Sequence, residues 1–139
     1  MASANKLNSF VEALAEKTHN LGSDTLKVML TNSAPIATNT VKANLTEISA
    51  GNGYTAGGTQ ASQVSSAQTS GTYKLVCSDV TFTASGGSIG ALQYITLYND
   101  TATNDELILW WNYGSSITLA DGEALTVDFS GTNGVLTIT

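Results

Sequence analysis

The chain has no arginine and only one cysteine, one histidine and one proline, and these scarcities exclude several kinds of site. A disulfide needs two cysteines and structural zinc needs about four cysteine or histidine ligands, so Cys77 and His19 can form neither within one chain. Five lysines face eleven acidic residues, which gives a net charge of -6. Because nucleic-acid binding depends on neutralising phosphates with Lys and Arg, we expect no nucleic-acid partner.

Long apolar runs are also missing. The longest run covers residues 107–111, far short of the roughly 18 to 20 residues that cross a bilayer, so we predict no membrane partner. Residues 1–17 carry several charges and no apolar core of a signal peptide. We therefore expect the protein to work in the cytoplasm in which it is made, or in a particle assembled there.

What is present is the composition of one packed domain. Of the 139 residues, 42% are apolar and 12% are charged, a balance that disfavours disorder. Twenty threonines and fifteen serines accompany thirteen glycines. Threonine suits a half-exposed strand and glycine suits turns, so the composition favours a β protein.

Helical spacing is convincing only near the start of the chain. Ser9 and Glu12 match a capping box, and Phe10 and Leu14 follow one another at i and i+4. We predict a short amphipathic helix over residues 9–19, within an N-terminal arm covering residues 1–22. Its apolar stripe is narrow, so it should pack on a larger body or on a neighbouring subunit.

From Asp24 onward the apolar period is two, which indicates strands. Residues 40–48 fit either a short helix or a loop, residues 50–58 predict a long surface loop, and Asp121-Gly122 predicts a type I′ hairpin turn. About eight strands indicate an antiparallel β-sandwich or jelly roll over residues 23–139. Strands are predicted at residues 26–31, 60–68, 73–83, 89–98, 106–113, 117–119, 125–129 and 135–139.

The sequence offers only weak candidates for a metal-binding or catalytic site. Asp100, Asp105 and neighbouring amides in the predicted loop 99–105 could hold calcium, but Asn and Asp also cap their own backbone in such loops. His19 falls at the predicted end of a helix, where a cation complements the dipole, and Cys77 lies within a strand like a small buried hydrophobe. We expect no catalytic residue, no metal and no cofactor.

The most informative segment is residues 107–111. Strict alternation places Leu107, Leu109 and Trp111 on one face of a strand and Ile108 and Trp110 on the other. A sandwich strand needs only one apolar face. The second face must therefore be covered either by another part of the same chain or by another chain, and both alternatives are open at this point.

The sequence resembles the small cement, or decoration, proteins on the capsids of tailed phages, and in particular the jelly-roll type of short-tailed phages. Four runs together carry the resemblance over much of the chain: NSFVE at 8–12, HNLGSDTLKV at 19–28, TEISAGNGYTAGG at 46–58, and LYNDT at 97–101 continuing to Trp111.

This resemblance implies a structural virion protein, not an enzyme, that binds the outer surface of a phage head and bridges neighbouring subunits of the major capsid protein. The acidic balance suits an outer surface, and we expect a symmetric homodimer because that is the commonest oligomer. Residues 6–21 and 50–58 are expected to reach the shell. The residues predicted at a capsid or dimer interface are Phe10, Val11, Leu14, Tyr54, Trp110 and Trp111.

Two alternatives remain from the residues themselves. A carbohydrate- or receptor-binding module of a tail fibre would use exposed aromatics, for which the candidates are Tyr54, Tyr73, Tyr94, Trp110, Trp111 and Tyr113. A tail-tube or head-completion protein would differ in copy number and in ring symmetry. An enzyme is the class that the sequence favours least.

Overall fold

The computed structural model describes residues 2–139, and it confirms a mainly β fold with antiparallel sheets and one short helix. Helix α1 spans Ser9–Ala15, and a 3-10 helix spans Lys42–Asn44. The strands are β1 (Asn5–Lys6), β2 (Leu26–Thr31), β3 (Thr59–Gln60), β4 (Gln63–Thr69), β5 (Thr72–Cys77), β6 (Val80–Thr83), β7 (Ile89–Asn99), β8 (Leu107–Leu119), β9 (Ala124–Val127) and β10 (Leu136–Ile138).

The strands form three sheets. One has the order β1-β8-β7-β2-β3, the second β10-β5-β4, and the third pairs β6 with β9. The main core contains apolar residues of all three sheets, for example Leu97, Leu75 and Phe82. This arrangement is consistent with a β-sandwich, whereas the jelly-roll topology stays a prediction.

A second, smaller core contains residues from the three central strands of the five-stranded sheet. Met29, Tyr98 and Leu107 form it together with Leu7 and Leu45. Leu7 directly follows β1, which pairs with β8, and Leu45 directly follows the 3-10 helix. The N-terminal arm is therefore built into the sheet, and it covers part of the second apolar face of β8 within the same chain.

The predicted helix and its capping box are both corrected. Asn8 already has helical backbone angles and is the N-cap, without a side-chain cap, so Ser9 is the first helical residue and cannot cap with Glu12. The helix ends at Ala15, four residues early. Lys17 has a positive φ of 67°, which an α-helix cannot continue through.

The predicted strand 73–83 is divided between two sheets. The break falls at Ser78 and Asp79. The Asp79 carboxylate accepts a hydrogen bond from the Phe129 N–H at 2.9 Å. The predicted hairpin around Asp121-Gly122 is also wrong, because β9 pairs with β6 and not with β8. Strand β8 instead runs without interruption through the two segments predicted at 106–113 and 117–119.

Strict alternation along residues 107–111 is corrected as well. The register between β7 and β8 shifts after the pair Leu97 and Leu109, so that Tyr98 pairs with Leu107. The extra residue in β8 makes a bulge, and Ile108 and Leu109 both pack in the main core while Leu107 packs in the second core. Both faces of the strand are nonetheless apolar, as predicted.

The segments 40–48 and 50–58 are mostly irregular. Only Lys42–Asn44 is helical in the first, so the loop alternative describes most of it. The second contains turns, as its glycines predicted, but it is packed closely on the body. A Cβ on Gly58 would overlap the backbone carbonyl of Val28, and Tyr54 is only 3% exposed.

Candidate functional site

The most enclosed concave surface of residues 2–139 is an apolar groove between β8 and the segment that contains β9. Its volume is about 340 Å³, and we call it the β8–β9 groove. Its lining is mostly apolar and aromatic, which is the character of a binding site for an apolar or aromatic surface. The lining residues are Ala2, Ile95, Trp111, Tyr113, Leu125, Thr126, Val127, Asp128 and Phe129.

Period-two alternation brings these side chains to the groove. Trp111 and Tyr113 share one face of β8, and Leu125, Val127 and Phe129 follow at the same spacing along the β9 segment. The Trp111 and Phe129 rings lie 5.8 Å apart between centroids, an ordinary aromatic pairing distance. The groove is thus built by two strand segments from different sheets.

The groove combines an exposed rim with a buried floor. Ile95 and Phe129 are buried, Trp111, Leu125 and Val127 are half-buried, and Tyr113 is 50% exposed. Asp128 is the one charged residue in the lining. The site therefore offers apolar contact area and a single acidic group.

Ala2 reaches the groove because the N-terminal arm continues along β8. Asn5 pairs with Trp110 and Lys6 with Leu109, and this antiparallel register, extended backwards, places Ala2 opposite Tyr113. The arm therefore borders one side of the groove. On the other side, β9 pairs only with β6 among strands of the described chain, so its second edge is free of strand partners.

Two of the six predicted interface residues are core residues. Tyr54 is 3% exposed, and Phe10 is 5% exposed with its ring 5.6 Å from the His19 ring. Side chains buried to this extent have no surface to offer a partner. Their assignment to an interface is therefore corrected, because each packs inside its own chain.

The other four predicted residues lie at or near the surface but are not brought together. Val11 is 53% exposed on α1, and half-buried Leu14 lines a shallow depression beside Leu21 and Tyr73. Trp110 is half-buried on the second core, with its ring 6.0 Å from Tyr94. Among the predicted residues, only Trp111 lines the β8–β9 groove.

Tyr54 belongs to a polar network that fastens the loop 50–58 to β2. Its hydroxyl donates to Glu47 Oε1 at 2.7 Å and accepts the Leu30 N–H at 3.2 Å, while the Gly57 N–H donates to the same carboxylate oxygen at 2.5 Å. Burial is the main cause that raises the pKa of Tyr54. The phenol stays protonated and acts as a structural donor.

Tyr98 extends this network from β7. Its hydroxyl donates to the Gly57 carbonyl at 2.7 Å, and the Lys42 ammonium lies 5.2 Å from the centre of its ring. Burial, with smaller effects of the Asp100 and Asp105 charges, raises the pKa of Tyr98. Two loops are therefore bound to the sheet by neutral phenols.

His19 lies in a second buried polar cluster. Asn99 Nδ2 lies 3.1 Å from His19 Nδ1 and donates to Asp24 Oδ2 at 2.6 Å. His19 is 4% exposed, and burial lowers its pKa even though Glu106 and Asp24 act in the opposite direction. The amide donor at Nδ1 and the lowered pKa both favour a neutral imidazole.

The contacts of Cys77 and of the acidic loop 99–105 favour structural roles for both. Burial raises the pKa of the Cys77 thiol to about 11, so it is a poor nucleophile at neutral pH. In the loop, Asn99 Oδ1 accepts the N–H groups of Thr101 and Ala102, and Asp100 pairs with Lys27 at 2.9 Å. Within residues 2–139 no three His, Cys, Asp or Glu side chains gather as metal ligands.

The groove residues Leu125, Val127 and Phe129 were missed as a site in the sequence. Their alternation was visible, as was that of Trp111 and Tyr113, but the predicted hairpin assigned them to the wrong partner. Because a period of two identifies a shared face and not the strand that lies opposite, the two halves of the groove could not be joined from the sequence alone.

Comparisons with models of protein families, with curated proteins and with solved structures found no match. In the part of the chain from Ala2 to Thr139, no helix has the length and apolar character needed to cross a membrane.

Proposed function

We propose that this chain is a capsid cement protein, which binds the outer surface of a phage head as a homodimer and bridges neighbouring subunits of the major capsid protein. The β8–β9 groove is the observation that carries the proposal. It gathers aromatic and aliphatic side chains at the surface of a chain that packs most of its large apolar residues into two cores.

The residues of the groove favour a protein segment as its partner. Trp and Tyr are frequent among the residues that dominate binding energy, and Trp111 and Tyr113 lie side by side in its lining. The unpaired edge of β9 beside the groove also offers backbone groups to an extended segment. We assign the groove to an apolar, extended segment of the major capsid protein.

The charge and rigidity of the chain support an outer position. A net charge of -6 is unfavourable beside packaged DNA and acceptable on the outside of a shell. The loops 40–48 and 50–58 are bonded to the sheet through Tyr54, Tyr98 and Glu47. Binding therefore requires little ordering of these loops, which keeps the entropic cost of association low.

The test is co-sedimentation of the purified protein with phage shells that lack it. Replacing the 50% exposed Tyr113 by serine removes a rim side chain of the groove, and we expect about a tenfold loss of affinity, equivalent to about 1.4 kcal/mol. Ile36→Ser is the matched control, because Ile36 is 58% exposed but lies outside the groove. Equal binding by both variants would contradict the assignment of the groove.

Val11→Ser tests whether α1, in the N-terminal arm that was predicted to reach the shell, contacts the capsid. Deleting the arm would not be informative, because Leu7 and Leu21 are core residues and β1 is part of the sheet. Val11 is 53% exposed, so its replacement leaves the core intact. A loss of shell binding supports contact through α1, and unchanged binding removes α1 from the interface.

A carbohydrate-binding module is the second candidate, because Trp111, Tyr113 and Asp128 meet in one groove. Aromatic faces with a nearby carboxylate suit a sugar. Tyr54, however, is buried, and Tyr94 lies with Trp110 outside the groove, so the broader aromatic platform is not assembled. Glycan-array binding that Tyr113→Ser abolishes would favour this candidate over the shell protein.

A further inference from the structure

Strand β4 ends its sheet with an outer edge that no strand of the described chain covers. Its outward-facing backbone groups can be assigned. The Leu75 carbonyl accepts the Val135 N–H at 2.7 Å, on the side away from β4, so Ser66, which pairs with Leu75, does not share its backbone bonds with β5. Antiparallel ladders alternate, so Ser66 and Gln68 both direct their N–H and C=O groups outward.

Most of this edge lacks the usual protection against pairing. Natural edge strands are blunted by proline, by charged side chains, by β-bulges or by very short length, and the one irregularity of β4 in its pairing with β5 lies at its start, between Gln63 and Ser65. Strand β4 has seven residues, none of them charged or proline, and all but Gln63 are exposed. Val64 at its start is 68% exposed, one of the largest exposures of an apolar side chain in the described chain.

Strand β4 itself carries no charge in an otherwise acidic chain, and the charge paired with it across the sheet, Lys74 opposite Ala67, lies on β5, one strand away from the open edge. No charged residue occurs between Glu47 and Lys74, although the whole chain carries a net charge of -6. Two copies could therefore meet along β4 without placing like charges opposite each other. Its mostly small side chains, such as Ser65, Ser66 and Ala67, also permit close approach of two backbones.

We propose that β4 pairs antiparallel with β4 of a second copy across a two-fold axis. An antiparallel pair of identical strands is isologous, as a closed dimer requires. The three-stranded sheets of the two copies would join into one six-stranded sheet, in the order β10-β5-β4-β4-β5-β10. The inference rests on the homodimer of the proposed function and locates its interface.

This location leaves the β8–β9 groove available. The groove is lined by β8, the β9 segment, Ile95 of β7 and Ala2, and none of its lining residues belongs to β4 or β5. A dimer joined through β4 therefore carries two grooves and can hold two shell subunits at once. Such bivalent attachment raises the overall affinity without any new contact.

The mass of the purified protein in solution tests the proposal, by light scattering coupled to size exclusion. We expect wild-type protein at twice 14.4 kDa and Val64→Lys at the monomer mass, because lysine places two like charges at the paired edges. Val11→Lys is the matched control: it makes the same change at a 53% exposed site outside β4 and should remain dimeric.

Gln68→Pro is the second variant. It deletes an outward N–H and the Gln68 Oε1 acceptor of the Gly71 N–H in the following turn, while the backbone bonds of Ala67 and Thr69 to β5 stay in place. It should also be monomeric, with a circular dichroism spectrum like that of the wild type. A wild-type monomer, or a dimer that persists in both Val64→Lys and Gln68→Pro, would overturn the proposal.

Failure here is distinguishable from failure of the cement function. The mass is measured on the protein alone, without capsids. A wild-type monomer that still binds shells contradicts the homodimer and its β4 interface but not attachment to the shell, whereas a β4 dimer that never associates with shells contradicts the cement function only.

Discussion

Replacing Tyr54 by phenylalanine removes a single oxygen atom from the core. That oxygen accepts the Leu30 N–H at 3.2 Å and donates to Glu47 at 2.7 Å. Leu30 is fully buried, so water cannot replace the lost acceptor. The ring itself stays in place against Phe82, at 5.7 Å between centroids, and no cavity larger than a hydroxyl is created.

The expected cost follows from these two bonds. A buried N–H without a partner costs about 1–3 kcal/mol, and a bond to an ionised carboxylate contributes about 1.5–3 kcal/mol. The two effects overlap, because Glu47 keeps its bond from the Gly57 N–H. We expect Tyr54→Phe to lower the free energy of unfolding by about 2–3 kcal/mol, which is about 10 °C in Tm for a chain of this length.

Thermal and urea unfolding, followed by circular dichroism, measure this change. Tyr113→Phe is the matched control, because its side chain is 50% exposed and water can solvate the site in either variant. A change in Tm below about 2 °C for Tyr54→Phe, or an equal change for Tyr113→Phe, would refute the structural role assigned to the buried hydroxyl.

Two further predictions concern pH and a glycine. Burial lowers the pKa of His19 in the folded chain below the ordinary 6.5, so the unfolded chain binds a proton first and stability is lost as the pH falls from about 6.5. The urea midpoint should therefore fall more between about pH 7 and pH 5 in the wild type than in His19→Asn, and equal falls would contradict a neutral buried imidazole. Gly58→Ala should destabilise the chain by more than about 3 kcal/mol, since φ is +77° and the new Cβ overlaps the Val28 carbonyl. Gly131→Ala, where a Cβ meets nothing within 4 Å and φ is not positive, should change the urea midpoint little, and a comparable loss in both would show that close approach is not the cause.

Local patterns in the sequence predicted the β class and the position of most strands. Leu26, Val28 and Leu30 alternate, and they form a strand whose three side chains all pack in the main core. The glycine-rich turns fall where predicted because few other residues adopt positive φ. These features depend on neighbours along the chain, and the sequence records them directly.

Pairing and burial across the fold could not be predicted in the same way. The partner of β9 is β6, and the bulge that turns Ile108 toward the main core arises from the register between β7 and β8. Tyr54 lies among turn-forming residues, yet its hydroxyl bonds to Glu47 and Leu30 place it in the core. Each of these features depends on contacts between distant segments, so the β8–β9 groove was visible only once the strands were assembled.

The copy number of this protein in purified virions, measured by quantitative mass spectrometry against the major capsid protein, tests the central claim most directly. A cement protein that bridges neighbouring subunits must be present in numbers of the same order as the shell protein, and we expect that ratio. A few copies per particle would place the protein at the tail or at a vertex, and its absence from virions would contradict the cement function.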